Sequence, residues 1–112
     1  MCSSDLLTIA ARIHAEPSGT LWGTYHLTGQ GETTWHGLAR EIFRQAADRG
    51  IKVPRLDAIA TSEYPTPARR PAYSVLDNSK IVRSFGIGLP PWQKSLAKCL
   101  DQLIPQPQRA CA

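Results

Sequence analysis

Residues 64–71, Tyr-Pro-Thr-Pro-Ala-Arg-Arg-Pro, constrain the fold of this chain more than any other stretch. They include three prolines in eight residues, and each proline fixes φ at about −65° and removes a backbone hydrogen-bond donor. Thr66 and Arg70 each precede a proline, which disfavours the helical conformation at both positions. Neither a helix nor a central strand can therefore cross this segment. We expect a stiff, extended loop and call residues 64–71 the arginine loop.

The arginine loop carries two adjacent guanidinium groups, Arg69 and Arg70. A guanidinium presents several N–H donors in one plane and binds phosphate or carboxylate through paired hydrogen bonds. A stiff loop also loses little conformational entropy when it meets a partner. The alternative is a surface turn whose arginines are solvated and bind nothing. The proline frame favours the first interpretation, and we predict an anion-binding loop.

Composition and charge narrow the class of protein. With 112 residues the chain has room for one domain at most. Its hydrophobic content of 42% is typical of a soluble globular protein, and its apolar runs are too short to cross a bilayer. A net charge of +4 favours anionic partners but does not by itself indicate nucleic acid. Cys2, Cys99 and Cys111 lack the spacing of a disulfide framework or a zinc site, and we see no signal peptide, so we expect a cytoplasmic protein.

Four segments show the apolar periodicity of amphipathic helices. We expect helices at about residues 5–15, at 34–49 with Gly50 just past the end, from Asp77 or Ser79 to Gly86, and after Pro91 as far as Leu103. The expected inner faces are Leu6, Ile9, Ala10 and Ile13; Trp35, Leu38, Ala39, Ile42, Phe43 and Ala46; Ile81, Val82 and Phe85; and Trp92, Leu96, Cys99, Leu100 and Leu103. The solvated face of the second helix is expected to carry Arg40, Glu41, Arg44, Asp48 and Arg49.

Two short segments, 24–28 and 56–60, have the composition of β-strands. Between the first of them and the second helix, Gly29-Gln-Gly31 looks like the start of a dinucleotide-binding turn. Thr34 stands where the third glycine of that motif belongs, and no second strand ending in an acid follows at the required distance. We therefore interpret this stretch as a tight turn in which Thr34 caps the helix, not as a cofactor site.

Three blocks of the sequence carry a family resemblance. They are Gly23 to Phe43, which includes Gly-Gln-Gly-Glu-Thr-Thr-Trp-His-Gly; the arginine loop followed by Ser74-Val-Leu-Asp77; and Phe85-Gly-Ile-Gly-Leu-Pro-Pro-Trp92. In order and spacing they resemble the C-terminal signature of the dTDP-4-dehydrorhamnose reductases, members of the extended short-chain dehydrogenase/reductase superfamily. The resemblance runs from roughly Leu7 to Leu103, about the last third of such an enzyme.

This resemblance implies an α/β fold, the C-terminal substrate-side portion of an extended short-chain dehydrogenase. About four helices and two or three short strands are expected, with the Rossmann sheet largely missing. It also implies a role in reducing dTDP-4-dehydro-L-rhamnose to dTDP-L-rhamnose for cell-surface polysaccharides. The full-length enzyme uses NADPH or NADH, some relatives require Mg²⁺ at their dimer interface, and a homodimer is expected.

The catalytic groups of the family are not expected in this chain. The family reaction uses a Tyr-x-x-x-Lys pair, in which the tyrosine protonates the developing alkoxide. The residues four positions after the three tyrosines are Gly29, Ala68 and Asp77, and none is lysine. We therefore expect a substrate-binding portion that is inactive alone, with no catalytic, cofactor-binding or metal-binding residue of its own.

The substrate side of the resemblance falls on the arginine loop. Family members use an arginine before Pro or Gly in this loop against the phosphates or ribose of a nucleotide-sugar, and Arg70 followed by Pro71 matches that position. Arg69 is the weaker partner, and Tyr64 and Thr66 are further candidate contacts. Residues 32–35 are a candidate wall of the site.

The two ends of the chain are expected to lie outside the functional portion, which we place at residues 7–104. Residues 1–6 resemble the translation of a sequencing-library adapter, so we expect a non-native leader. An ordinary N-terminus in which Ser4 or Asp5 caps a helix is the alternative. We expect residues 105–112 to be a disordered tail.

Two other functions remain open at this stage. One is a non-catalytic relative that binds or regulates through a nucleotide-sugar, and an upstream reading frame encoding the glycine-rich turn and Tyr-x-x-x-Lys would favour the enzyme over it. The other is a small basic nucleic-acid binder, which only the net charge supports. We expect no nucleic-acid partner and no membrane association.

Overall fold

The computed structural model describes residues 3–16 and 18–104, and within them it contains four α-helices and no β-strand. The helices are α1 (Ser3–Ala15), α2 (Trp35–Asp48), α3 (Ser79–Phe85) and α4 (Trp92–Leu103), with a short 3-10 helix at Thr61–Glu63. The four helices expected from the apolar periodicity are confirmed. None of the described helices has the length and hydropathy of a membrane span. The chain divides into two compact units: unit 1 takes the described residues of 1–31 and 75–92, and unit 2 those of 32–74 and 93–112.

Local capping sets both ends of α2. Thr34 has extended backbone, and its side-chain oxygen accepts a hydrogen bond from the Gly37 N–H at 3.0 Å, as an N-cap requires. At the other end Gly50 has a φ of +81°, a conformation that is strained for residues with a Cβ. The N–H groups of Gly50 and Ile51 then satisfy carbonyls of the last turn at 2.9 and 3.1 Å. The expected cap and terminator of this helix are therefore confirmed.

The core of unit 1 is a single apolar cluster under α3. Its buried members are Ile81, Phe85, Ile87 and Leu89, and the half-buried side chains packed against them are Ile9, Ile13, Leu21, Tyr25 and Leu27. Tyr25 meets Phe85 edge-on, with ring centroids 5.3 Å apart, and its hydroxyl donates to the Leu21 carbonyl at 2.8 Å. The packing confirms the inner faces of α1 and α3 at these positions.

The segment after Gly23 is fastened to α3 by side chains. The Asn78 side chain accepts the Thr28 N–H at 3.0 Å and donates to the Thr28 carbonyl and hydroxyl at 3.3 and 2.8 Å. Lys80 donates to the Thr24 carbonyl at 2.8 Å, and its ammonium lies 4.4 Å from the centroid of the Tyr25 ring. A side-chain amide thus bonds the N–H and C=O of Thr28, as a neighbouring strand would do.

The expected strands 24–28 and 56–60 do not form within the described residues. Both segments are without regular secondary structure, and the nearest approach to a sheet is one parallel bridge between Gln30 and Pro91. A strand requires a ladder of backbone hydrogen bonds to a second strand, and no described segment provides one for either stretch. The strand part of the predicted α/β fold is therefore not seen here.

In unit 2, α2 and α4 are joined by a polar contact. Ala46 and Leu100 are buried, as is Gln45, whose amide donates to the Gln93 carbonyl at 3.2 Å. The Arg49 side chain is only 13% exposed and forms an ion pair of 2.6 Å with Asp101. It also donates to the Ala97 carbonyl at 3.2 Å. The expectation that Arg49 is solvated was wrong, because its long side chain reaches back across the helix contact.

Several side chains expected on inner helix faces are exposed. Trp35 is 80% and Leu103 71% exposed, and each lies at a helix end where nothing covers it within its unit. Cys99 is also exposed, because the contact face of α4 includes Gln93 and Cys99 lies roughly 120° around the helix axis from it. The assignment of Cys99 to the core was wrong. Leu6, Ala10 and Val82 are likewise exposed.

Three expectations concern residues at the chain ends. Residues 105–112, expected to be a tail, lie outside the described residues, as do Cys2 and Cys111. Residues 1 and 2 of the expected leader also lie outside the described residues, whereas residues 3–6 form the first turn of α1.

Candidate functional site

The arginine loop lies in a long exposed stretch of unit 2. Every residue from 57 to 77 is exposed, so apolar burial does not hold the loop in place. Its hydrogen bonds are local at the N-terminal end. The Tyr64 N–H donates to the Thr61 carbonyl at 3.2 Å, and the Thr66 hydroxyl donates to the Ala68 carbonyl at 3.0 Å. These bonds, with the three prolines, shape the loop from within.

Arg69 and Arg70 make no ion pair and no hydrogen bond to any described residue. Elsewhere in unit 2 the guanidiniums of Arg44, Arg49 and Arg55 are each engaged by a carboxylate. A guanidinium that lacks an internal partner keeps all its donors available to an external anion. The loop therefore presents two such groups at adjacent positions of a segment that proline stiffens.

The net charge of the chain resides in the unit that carries the loop. Unit 1 has three cationic and three anionic side chains: Arg12, Lys80 and Arg83 against Asp5, Glu16 and Asp77. The described part of unit 2 has nine cationic and six anionic side chains. This distribution raises the local concentration of anions near the arginine loop.

Two residues after the arginine loop, Tyr73 is hydrogen-bonded to the segment that precedes α2. The Tyr73 hydroxyl donates to the Glu32 carboxylate at 3.1 Å, across 41 positions of sequence. This hydrogen bond, followed by the negative charge of Glu32, raises the pKa of Tyr73, because both favour the neutral phenol. The tie places the end of the arginine loop beside residues 32–35, which the family resemblance proposed as a wall. Nothing in the sequence signals that Tyr73 is the partner, since the two residues are far apart in the chain.

The predicted site residues remain five neighbours on one loop. Tyr64 is 68% exposed, and Thr66, Arg69, Arg70 and Pro71 are exposed as well. No hydrogen bond joins any of them to another of the five. The loop thus offers separate groups to a ligand and holds no preassembled cluster. Tyr73, which bonds Glu32, and Trp35, three residues after Glu32, add exposed aromatic surface in the same unit.

The glycines that suggested a dinucleotide turn have another use. A Cβ at Gly29 would lie 3.1 Å from the Trp92 Cα, and one at Gly31 would lie 3.2 Å from the Trp92 ring. Both glycines therefore allow the close approach of Trp92, which accounts for them without a bound pyrophosphate. The described residues thus give no support to a site for NADPH or NADH at this turn. Nor do they include a group of three His, Cys, Asp or Glu side chains that could hold a metal ion.

Comparison with known proteins decides the family. The family model for the RmlD substrate binding domain matches residues 2–104. The chain belongs to this family. It is 41% identical over 105 residues to a dTDP-4-dehydrorhamnose reductase of Sinorhizobium fredii. The matched region covers 91% of the chain and 34% of that enzyme. A dTDP-4-dehydrorhamnose reductase of Shigella flexneri is 42% identical over 105 residues, covering 92% of the chain and 33% of the enzyme.

A relative of lower identity has a different name. The probable dTDP-4,6-dihydroxy-2-methyloxan-3-one 4-ketoreductase of Streptomyces antibioticus is 37% identical over 86 residues, covering 73% of the chain and 27% of that protein. The chain spans about a third of the length of the curated relatives it matches. Membership of the RmlD substrate binding domain family therefore describes the part of those enzymes that corresponds to this chain.

Proposed function

We propose that the arginine loop binds the diphosphate of a dTDP-sugar. Arg70 is the principal contact, and Arg69 is the secondary one. The observation that carries the proposal is the pair of exposed guanidiniums without an internal partner, on a loop of three prolines. Pro71 restricts the backbone of Arg70, which limits the directions its side chain can take. Tyr64 and Thr66 contribute further contacts to the sugar nucleotide.

The activity we propose for a protein of the relatives' length is the reduction of dTDP-4-dehydro-L-rhamnose to dTDP-L-rhamnose. NADPH or NADH supplies the hydride in that reaction, outside the residues described here. This chain contributes binding: its arginines neutralise the diphosphate and hold the sugar nucleotide in one orientation. We further propose a cytoplasmic, homodimeric enzyme of dTDP-rhamnose biosynthesis.

The proposed fold for that longer protein is an extended short-chain dehydrogenase. Between residues 25 and 27, and between 56 and 59, the backbone makes no hydrogen bond within the described chain. Unpaired extended backbone is a template for sheet pairing, so we propose that these stretches join a sheet supplied by the rest of such a protein. Residues 7–104 are then its substrate-side portion.

A second function is a nucleotide-sugar binder without turnover. Both functions use the arginine loop in the same way and differ only in whether hydride transfer follows. Binding experiments on this chain therefore test what the two proposals share.

The test is a calorimetric titration of the chain with dTDP. Arg70→Ala is expected to weaken binding by about 1.5–3 kcal/mol, the range for a lost charged hydrogen bond, which corresponds to roughly 10- to 150-fold in Kd. Arg40→Ala removes the same charge from the exposed side of α2 and is the matched control, expected to change Kd by less than about 2-fold because exposed, unpaired charges contribute little. A Kd unchanged by Arg70→Ala, or no binding of dTDP by the unaltered chain, would refute the proposal.

A further inference from the structure

One hydrogen bond, made by Tyr73 just after the arginine loop, connects this stretch to a distant part of unit 2. Among residues 60–74, the other hydrogen bonds within the described chain join groups at most three positions apart. The bond from Tyr73 to Glu32 spans 41 positions. Because every residue from 57 to 77 is exposed, no buried side chain shares this task. Among the hydrogen bonds of the described residues 60–74, this contact is therefore the one that fastens the stretch to a distant part of unit 2.

The contact lies close to the guanidiniums along the chain. Only Pro71 and Ala72 separate Arg70 from Tyr73. The proline ring fixes its own φ and keeps the residue before it extended, so few backbone rotations remain between the anchored ring and Arg70. Fixing the Tyr73 ring therefore also restricts the orientation of the Arg70 backbone.

The same contact leaves the arginines available. Glu32 is an exposed carboxylate near the end of the loop, and a carboxylate is a natural partner for a guanidinium. In the structure its oxygen accepts from Tyr73, and neither Arg69 nor Arg70 pairs with it. The Tyr73 phenol thus binds one oxygen of Glu32, and no guanidinium of the described residues pairs with this carboxylate.

We propose that Tyr73, held by Glu32, is a positioning residue that orients Arg70 for the diphosphate of a nucleotide-sugar. This inference rests on the function proposed above. Tyr73 acts through Arg70 and makes no contact with the ligand. Loss of its hydroxyl loosens the loop, and a less firmly oriented Arg70 binds an anion more weakly.

The first experiment repeats the dTDP titration with Tyr73→Phe, which keeps the ring and removes only the hydroxyl. We expect Kd to rise about 2- to 10-fold, the range for one hydrogen bond. Glu32→Gln still offers an oxygen to the phenol and should bind dTDP at least as tightly as the unaltered chain, whereas Glu32→Ala should lack this rescue. An unchanged Kd for Tyr73→Phe would overturn the inference.

The second experiment separates positioning from a general structural role. If Tyr73 acts through Arg70, then Tyr73→Phe has no further effect on Kd in the Arg70→Ala background. The same fold-change in both backgrounds would overturn the inference and leave the proposed function intact. If Arg70→Ala itself has no effect, the proposed function fails first.

A third measurement tests the pair without any ligand. The ultraviolet absorbance of tyrosinate is titrated in the unaltered chain and in Tyr73→Phe, and the difference isolates Tyr73. We expect its pKa to lie above the ordinary value of about 10 and to fall in Glu32→Gln, which removes the carboxylate charge. An ordinary pKa that does not respond to Glu32→Gln would show that the pair is not formed, and would overturn the inference.

Discussion

The replacement Asn78→Ala tests how unit 1 holds its extended segment. The Asn78 side chain makes three hydrogen bonds to Thr28, to its N–H, carbonyl and hydroxyl, at 3.0, 3.3 and 2.8 Å. Alanine removes all three. It leaves the start of α3 intact, because the Ser79 N–H there is bonded by Asp77 at 2.8 Å and Asn78 makes no side-chain cap.

The size of the effect follows from the number and burial of these bonds. A neutral hydrogen bond contributes about 0.5–1.5 kcal/mol net. Both residues are half-buried, so water replaces part of what is lost, and three bonds from one side chain are not independent. We expect the free energy of unfolding to fall by about 1.5–3 kcal/mol. That is a large share of the roughly 5–15 kcal/mol by which a domain is stable.

Two further variants each remove only part of the hydrogen bonding between Asn78 and Thr28. Thr28→Val removes only the hydroxyl and keeps the side-chain shape, so it should cost about 0.5–1.5 kcal/mol. Asn78→Asp is nearly isosteric. It keeps the acceptor for the Thr28 N–H but replaces the amide nitrogen with an oxygen, which faces the Thr28 carbonyl. It should also destabilise the chain, because two oxygens then face each other where a hydrogen bond was.

The assay combines urea unfolding, followed by far-ultraviolet circular dichroism, with hydrogen–deuterium exchange of the peptide that covers residues 24–30. Asn78→Ala should lower the unfolding midpoint and speed exchange at Thr28. A change below about 0.5 kcal/mol, with Thr28 still protected, would refute the view that the amide takes the place of a neighbouring strand.

The remaining predictions concern the glycine that follows α2 and an ion pair on that helix. Gly50→Ala should destabilise the chain by about 1 kcal/mol, since a Cβ is strained at φ +81°. The control is Gly88→Ala, where φ is not positive and a Cβ meets open space, and it should be near neutral in the same urea assay. The hydrogen bond from Arg44 lowers the pKa of Glu41 to about 2. Because the unfolded value is higher, near about 4.3, the stabilisation from this pair is complete above that pH and is lost as pH falls toward 2. Stability should therefore decline more steeply over this window in the unaltered chain than in Glu41→Gln, and parallel pH profiles would contradict the assignment.

The candidate site could be predicted from the sequence only in part. The arginine loop follows from its prolines, because they act on the backbone of their own and adjacent residues. The Tyr73–Glu32 pair does not, since its members are 41 positions apart and neither belongs to a recognisable pattern. Whether the five loop residues meet a ligand stays a prediction, which the dTDP titration addresses.

The helices show the same division. Periodicity and caps predicted all four, but not which side chains of a helix are covered: Cys99 is exposed and Arg49 is largely buried, against expectation. Periodicity identifies an apolar face, whereas burial depends on what packs against it and where that contact ends.

The sequence by itself determined where helices begin and end, where no regular structure can form, and which family the chain resembles. Caps, positive-φ glycines and prolines act over a few residues, so their effect can be read from neighbouring positions. Only the tertiary structure decided that Thr28 is paired by the Asn78 side chain, that Trp92 fills the space beside two glycines, and that the arginine loop is tied at Tyr73. These contacts join positions far apart in the chain, and local propensity does not specify which distant partner will be near.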